Sequence, residues 1–96
     1  MMTKEVKVGD DVFTGFVIEL FKAPLILVKA KFGYIMCGLL DVNTADKLGD
    51  AAAVVRGVGS IDEILEKLVS DVSPKGLERG IVKGMTGLQA LKKMNK

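Results

Sequence analysis

The first forty residues are cut into short apolar stretches by glycine, proline and charged residues, and none of those stretches exceeds four residues. Segments this short cannot supply the apolar stripe of an amphipathic helix, which must persist over several turns. They can form strands, whose side chains change face at every residue. Thr3 to Val8 puts Val6 and Val8 on one face and Glu5 and Lys7 on the other. Gly9-Asp10 then supplies a two-residue hairpin turn. Val12 to Phe21 reads as a second strand. Its even positions (Val12, Thr14, Phe16, Ile18, Leu20) form an apolar face, and its odd positions add Phe13, Val17 and Phe21. Pro24 ends it, because proline cannot donate to a ladder. Leu25 to Lys31 is a third strand, Phe32-Gly33 a tight turn with Gly33 as its positive-φ residue, and Tyr34 to Leu39 a fourth strand. The order implies an antiparallel meander.

After residue 40 the pattern turns helical. Asn43 or Thr44 caps a short helix that runs to Leu48 and stops at Gly49. Ala52 to Arg56 reads as a buried strand. Ser60 with Glu63 is a capping box, and Ile61, Ile64, Leu65 and Leu68 follow at helical spacing, predicting a helix over 61–69. Ser73-Pro74 opens a short helix weakened by Gly76. Ile81 to Lys83 reads as a short strand, and Thr86 with Gln89 is a second capping box, opening a helix over 87–94. The expectation is an α+β fold in one domain, 1–96: a mainly antiparallel β-meander followed by βα units. Strands 52–56 and 81–83 extend the sheet, and the helices 61–69 and 87–94 pack on one face.

Composition narrows the chemistry. The chain has no histidine, one cysteine, and five aromatics that all fall at or before Tyr34. Without histidine there is no Ser-His-Asp triad, no Cys-His pair and no histidine-ligated metal. A single cysteine forms neither an internal disulfide nor a metal cluster. The reading therefore assigns no metal and no cofactor. A lone thiol fits a reducing, cytoplasmic setting. No apolar run approaches the roughly 20 residues that cross a bilayer, so no membrane partner is expected.

The formal net charge is only +2, but it is unevenly spread. Residues 75–96 hold Lys75, Arg79, Lys83, Lys92, Lys93 and Lys96 against Glu78 alone. The simplest reading is lysines at a helix C-terminus, where the macrodipole favours them; a basic patch for an anionic partner is the alternative. No aromatic lies there to stack on bases, which argues against nucleic acid.

Two stretches echo one another: Val55-Arg56-Gly57-Val58-Gly59-Ser60 and Val82-Lys83-Gly84-Met85-Thr86. Each reads as a strand end on a cation, a turn and a capped helix start. If the two strands are neighbours, Arg56 and Lys83, with Ser60 and Thr86 at the caps, face one anionic ligand. The other chemical segment is Tyr34-Ile-Met-Cys37-Gly38-Leu-Leu-Asp41. Cys37 sits near a strand end, Gly38 allows close approach, and Asp41 is positioned to orient a proton or cap the chain. A buried structural cysteine is the competing reading.

This segment resembles the YunC-like family, a bacterial and archaeal domain of unknown function. The resemblance continues through Ala53-Val-Val-Arg56-Gly57-Val58 and the Ile61-Asp-Glu-Ile-Leu65 block, and closes at Gly80-Ile-Val-Lys-Gly84-Met85-Thr86-Gly87-Leu-Gln-Ala90-Leu91. It implies a small α+β domain without an assigned activity, whose Cys-Gly-x-x-Asp pattern falls on Cys37, Gly38 and Asp41.

The functional expectation is a small binding or regulatory module for an anionic small molecule, held by Tyr34, Gly38, Arg56, Ser60, Lys83 and Thr86. A thiol-dependent enzyme using Cys37 with Asp41 is the alternative, and an oligomeric scaffold a further one. Phe13 and Phe21, if exposed on the odd face of their strand, predict a homodimer.

Overall fold

Gly9 turns the chain with φ 61°, and no non-glycine residue has a positive φ. Glycine at the first central position, followed by a negative φ at Asp10, is the type II′ turn that matches the twist of a hairpin. In the computed structural model, which describes residues 1–96, this turn joins β1 (Met2–Val8) to β2 (Asp11–Ile18). The meander continues through β3 (Leu25–Lys29) and β4 (Tyr34–Cys37), each antiparallel to the strand before it. Helix α1 (Val42–Leu48) then crosses over, so that β5 (Ala52–Val55) runs parallel to β4 with Cys37 opposite Val55. After α2 (Ile61–Glu66), β6 (Asp71–Val72) adds to β5 antiparallel. Helices α3 (Pro74–Glu78) and α4 (Gly87–Met94) complete the chain. The sheet order is β1-β2-β3-β4-β5-β6, and the fold is α+β as expected.

One sheet face carries Phe13, Val17, Ile26, Val28, Ile35, Cys37, Ala53 and Val55. Ile61 and Ile64 of α2 and Ala90, Leu91 and Met94 of α4 pack on it, so these two helices share a face as the sequence predicts. The opposite face belongs to α1, whose Ala45 packs with Met36, Ala52 and Val54. All four residues of β5 are therefore buried, as befits a strand covered on both sides.

Several expectations are corrected. β2 stops at Ile18, not Phe21. Its inner face is the odd one, because Val6 pairs across the ladder with Phe13 and paired residues share a face. Phe13 is 1% exposed, so it cannot contribute to an exposed apolar patch; Phe21 is exposed but lies outside the strand. Asp41, not Asn43 or Thr44, caps α1. Gly33 has no positive φ; an added Cβ there would run into Met94 and the Ala51 carbonyl, so close packing is what requires glycine.

Residues 81–83 are not a strand. Gly80 has φ 86°, its N–H donates to the Leu77 carbonyl, and the Ile81 N–H donates to the Gly76 carbonyl. These two bonds close α3 as a Schellman motif, and Ile81 is the buried residue that accompanies it. The sixth strand is 71–72 instead. Helix α2 ends at Glu66 rather than 69 because the backbone beyond it serves the α4 side. Gly87 N donates to the Lys67 carbonyl, and Val69 N to the Met85 carbonyl.

Ser73 is the buried polar residue of the core. Its Oγ donates to the Asp50 carbonyl at 2.8 Å and accepts from Ala52 N at 2.9 Å and Gly76 N at 3.1 Å. Ser73→Ala leaves a buried N–H and a buried carbonyl without partners and removes the α3 cap. It should cost about 2–3 kcal/mol. In urea denaturation the midpoint falls with an unchanged slope.

Candidate functional site

The parallel β4–β5 pair brings Cys37-Gly38 and Arg56-Gly57 side by side at its C-terminal end, the place where open α/β sheets bind ligands. Here the position is filled by the protein's own groups. A Cβ on Gly38 would stand 3.3 Å from Arg56 Nη1, so Arg56 lies over the glycine. Its Nη2 pairs with Asp71 Oδ2 at 2.7 Å. Asp41 is engaged in capping: its Oδ1 accepts from Asn43 N at 3.0 Å. Cys37 is 4% exposed in the apolar core, and its Sγ accepts from Ile26 N at 3.3 Å, next to the last β3–β4 ladder pair. Thiol and carboxylate thus have separate structural duties.

The two helix caps also separate. Ser60 Oγ accepts from Glu63 N at 3.1 Å, while Glu63 Oε1 accepts from Gly59 N rather than from Ser60 N. At Thr86 the capping box is reciprocal: Oγ1 accepts from Gln89 N, and Gln89 Oε1 accepts from Thr86 N. Ser60 opens α2 and Gly87 abuts its far end, so the two caps sit at opposite ends of a helix about 9 Å long. Lys83 lies in an exposed turn outside the sheet, and no ladder links it to Arg56. The structure brings Gly38 to Arg56 and does not join Lys83 to them in the single site that neighbouring strands would make.

Tyr34 lines a cleft of about 410 Å³ with Lys29, Lys31, Phe32 and Asp50. Its hydroxyl donates to Asp50 Oδ2 at 2.8 Å. Burial, then the hydrogen bond to Asp50 and the charge on that carboxylate, push the phenol up to about 12. The cleft holds both signs of charge, so it is no general anion site.

A second groove, of about 350 Å³, is lined by Met85, Gln89, Lys92, Lys93 and Lys96. Gln89, Lys92 and Lys93 fall on the face of α4 opposite the buried Ala90, Leu91 and Met94, and Lys96 follows just beyond the Asn95 cap. No carboxylate lines it. The protein's four ion pairs are Lys7–Glu5, Arg56–Asp71, Lys67–Glu63 and Lys75–Glu78. Lys83, Lys92, Lys93 and Lys96 take part in none of them, whereas Arg79 donates to the Lys96 main-chain oxygen at 2.8 Å and lies over the Phe32 ring. The sequence signal for these lysines is the absence of any acid after Glu78. Met85 immediately precedes the cap Thr86 and lies four residues before Gln89, so it continues the same face.

Two outcomes follow. Tyr34 is the one tyrosine, so absorbance near 295 nm reports it alone. Its midpoint should lie near 12 in the folded protein against 10.0 for an ordinary phenol, and Asp50→Asn should lower it. The folded state holds this proton more tightly than the unfolded chain. Its contribution to stability is therefore complete below pH 10 and is lost as pH rises towards 12; Tyr34→Phe should flatten that part of the pH profile. Cys37 should resist iodoacetamide in buffer and react quickly in denaturant, as mass spectrometry would register.

Comparison with known proteins places residues 36–94 under a family model described as a domain of unknown function, DUF1805. That stretch takes in Cys37, Gly38, Asp41 and Arg56 as well as the α4 lysines Lys92 and Lys93. The chain is 39% identical over 88 residues to an uncharacterised protein, YunC, of Bacillus subtilis, spanning 88% of this chain and 87% of that one. Its fold is similar to the crystal structure of a protein of unknown function from Thermoplasma acidophilum, with a TM-score of 0.91 and 32% identity over 97% of this chain and 91% of the other.

Proposed function

The chain belongs to the DUF1805, YunC-like family, and from that membership, which constrains the fold and leaves the ligand to the site, we propose that it is a small anion-binding module. The ligand is a small polyanion seated in the basic groove of α4. The observation that carries this reading is the set of four lysines from Lys83 to Lys96 that join no ion pair, three of them lining one groove with no Asp or Glu in it.

The alternatives are less well supported. Arg56 already has Asp71, and displacing that carboxylate would cost any incoming anion the existing pair. Thiol chemistry needs an accessible sulfur, and Cys37 is enclosed in the core. The macrodipole accounts for lysines in the last turn of α4, namely Lys92 and Lys93. It does not account for Lys83, an exposed lysine two residues before Met85. Lysine fits a small, strongly charged anion as a point charge, and Gln89 adds an amide to the wall. Bases have no aromatic platform there, which favours a small molecule over a nucleic acid.

Isothermal titration with inorganic tripolyphosphate tests the reading. Binding should weaken steeply between low and physiological salt. The triple variant Lys92→Glu, Lys93→Glu, Lys96→Glu should lose at least about tenfold in affinity, Lys83→Glu somewhat less, and Arg56→Gln almost nothing. Equal binding by the triple variant, or none by the parent, would refute the assignment.

A further inference from the structure

The outer edge of β1 is a self-complementary surface. Val8 and Asp11 close a two-residue turn and exchange backbone hydrogen bonds; ladder alternation then makes Val6–Phe13, Lys4–Gly15 and Met2–Val17 bonded pairs as well. The even residues of β1 thus bond inward to β2. Thr3, Glu5 and Lys7 turn their N–H and C=O groups outward. No other element covers them: β1 ends the sheet, and none of these three residues joins a loop or turn hydrogen bond.

A seven-residue open edge is a ready template for another strand, and edge charges normally discourage such pairing. In β1 the charges discriminate between registers instead. We propose that this edge pairs antiparallel with the same edge of a second copy of the chain, centred on Val6. An antiparallel pair that matches outward groups to outward groups joins odd residues to odd residues. Centring on Glu5 sets Glu5 against Glu5, centring on Lys4 sets Lys4 against Lys4, and centring on Lys7 sets Lys7 against Lys7. Centring on Val6 sets Glu5 opposite Lys7 of the second copy, twice by symmetry. It also sets Val6 against Val6 in a non-bonded pair, where side chains approach most closely. Within one chain, Glu5 and Lys7 already share a face, 4.0 Å apart and largely exposed, so both are free to turn to a partner. The two sheets become one continuous twelve-stranded sheet, with α2 and α4 of both copies on the same side. The inference rests on β1 alone and is independent of the α4 groove.

Sedimentation velocity at high micromolar concentration should give the parent twice its 10.3 kDa mass. Glu5→Lys and Lys7→Glu each set like charges across the junction and should weaken association by about tenfold or more, with an unchanged circular dichroism spectrum. The double exchange Glu5→Lys with Lys7→Glu should restore the dimer. Mixing the two single variants should also restore it, because each supplies the charges the other lacks. A monomeric parent overturns the proposal and leaves the edge to a strand of some other protein. Single variants that dimerise like the parent, or a mixture that stays monomeric, overturn it as well.

Discussion

The hydroxyl of Ser73 holds together the half of the molecule that the meander does not build. A parallel strand cannot be delivered by a tight turn, so β5 reaches β4 only through the α1 crossover. It arrives with a backbone that must be satisfied on both edges. Ser73 meets that demand at one point: it binds the N–H that starts β5, the carbonyl just before it and the first turn of α3. Its own N–H donates to the Ala52 carbonyl. Because the site is fully buried, water cannot replace any of these partners. The two-residue β6 and the five-residue α3 are too short to persist alone, and they are held in place by this contact.

The charges are organised by the same architecture. Acids on the central elements are engaged: Asp41 caps α1, Asp50 accepts a hydrogen bond from the Tyr34 hydroxyl, Asp71 holds Arg56, and Glu63 reaches Gly59 and Lys67. The acids run out after Glu78, and the lysines of the last segment are left facing solvent. An exposed pair such as Arg56–Asp71 contributes at most about 1 kcal/mol to stability. Its greater effect is to withdraw Arg56 from the pool of free cations. Net charge alone, at +2, conceals this partition.

What could be read in the sequence was whatever depends on neighbours in the chain. The hairpin at Gly9-Asp10, the box at Thr86 and Gln89, and the helical spacing after Ser60 are local, and each is present. What could not be read depends on distant backbone. Nothing near Lys67 says that its carbonyl will receive Gly87 N–H, and this is what ends α2 early. Nothing near Ile81 distinguishes a strand from the closing residue of a Schellman motif. The faces of β2 were ambiguous because both carry apolar residues; only the pairing of Val6 with Phe13 decides between them. At the candidate site, the excess of lysine after Glu78 was visible, and the groove's lining from Met85 to Lys96 is likewise local in the chain; what the sequence could not show is that Ala90, Leu91 and Met94 turn inward and leave that lining on the outer face. Cys37 and Asp41 carry the family pattern, yet the structure employs one in the core and the other as a cap.

The contacts of Asn95 bear on the order in which the molecule comes into being. Its Oδ1 accepts from Lys31 N, and its Nδ2 donates to Asp11 Oδ1, contacts that span 64 and 84 residues. The meander, by contrast, joins each strand to the next. On a chain that emerges from the ribosome N-terminus first, β1 to β4 can therefore pair while their inner face is still bare. That face is closed only when α4, the last element to emerge, docks on it. Until then Ile35, Val28 and Phe13 are open to whatever holds nascent chains. The same helix that seals the sheet also carries the basic groove, so the groove comes into existence only with the finished fold.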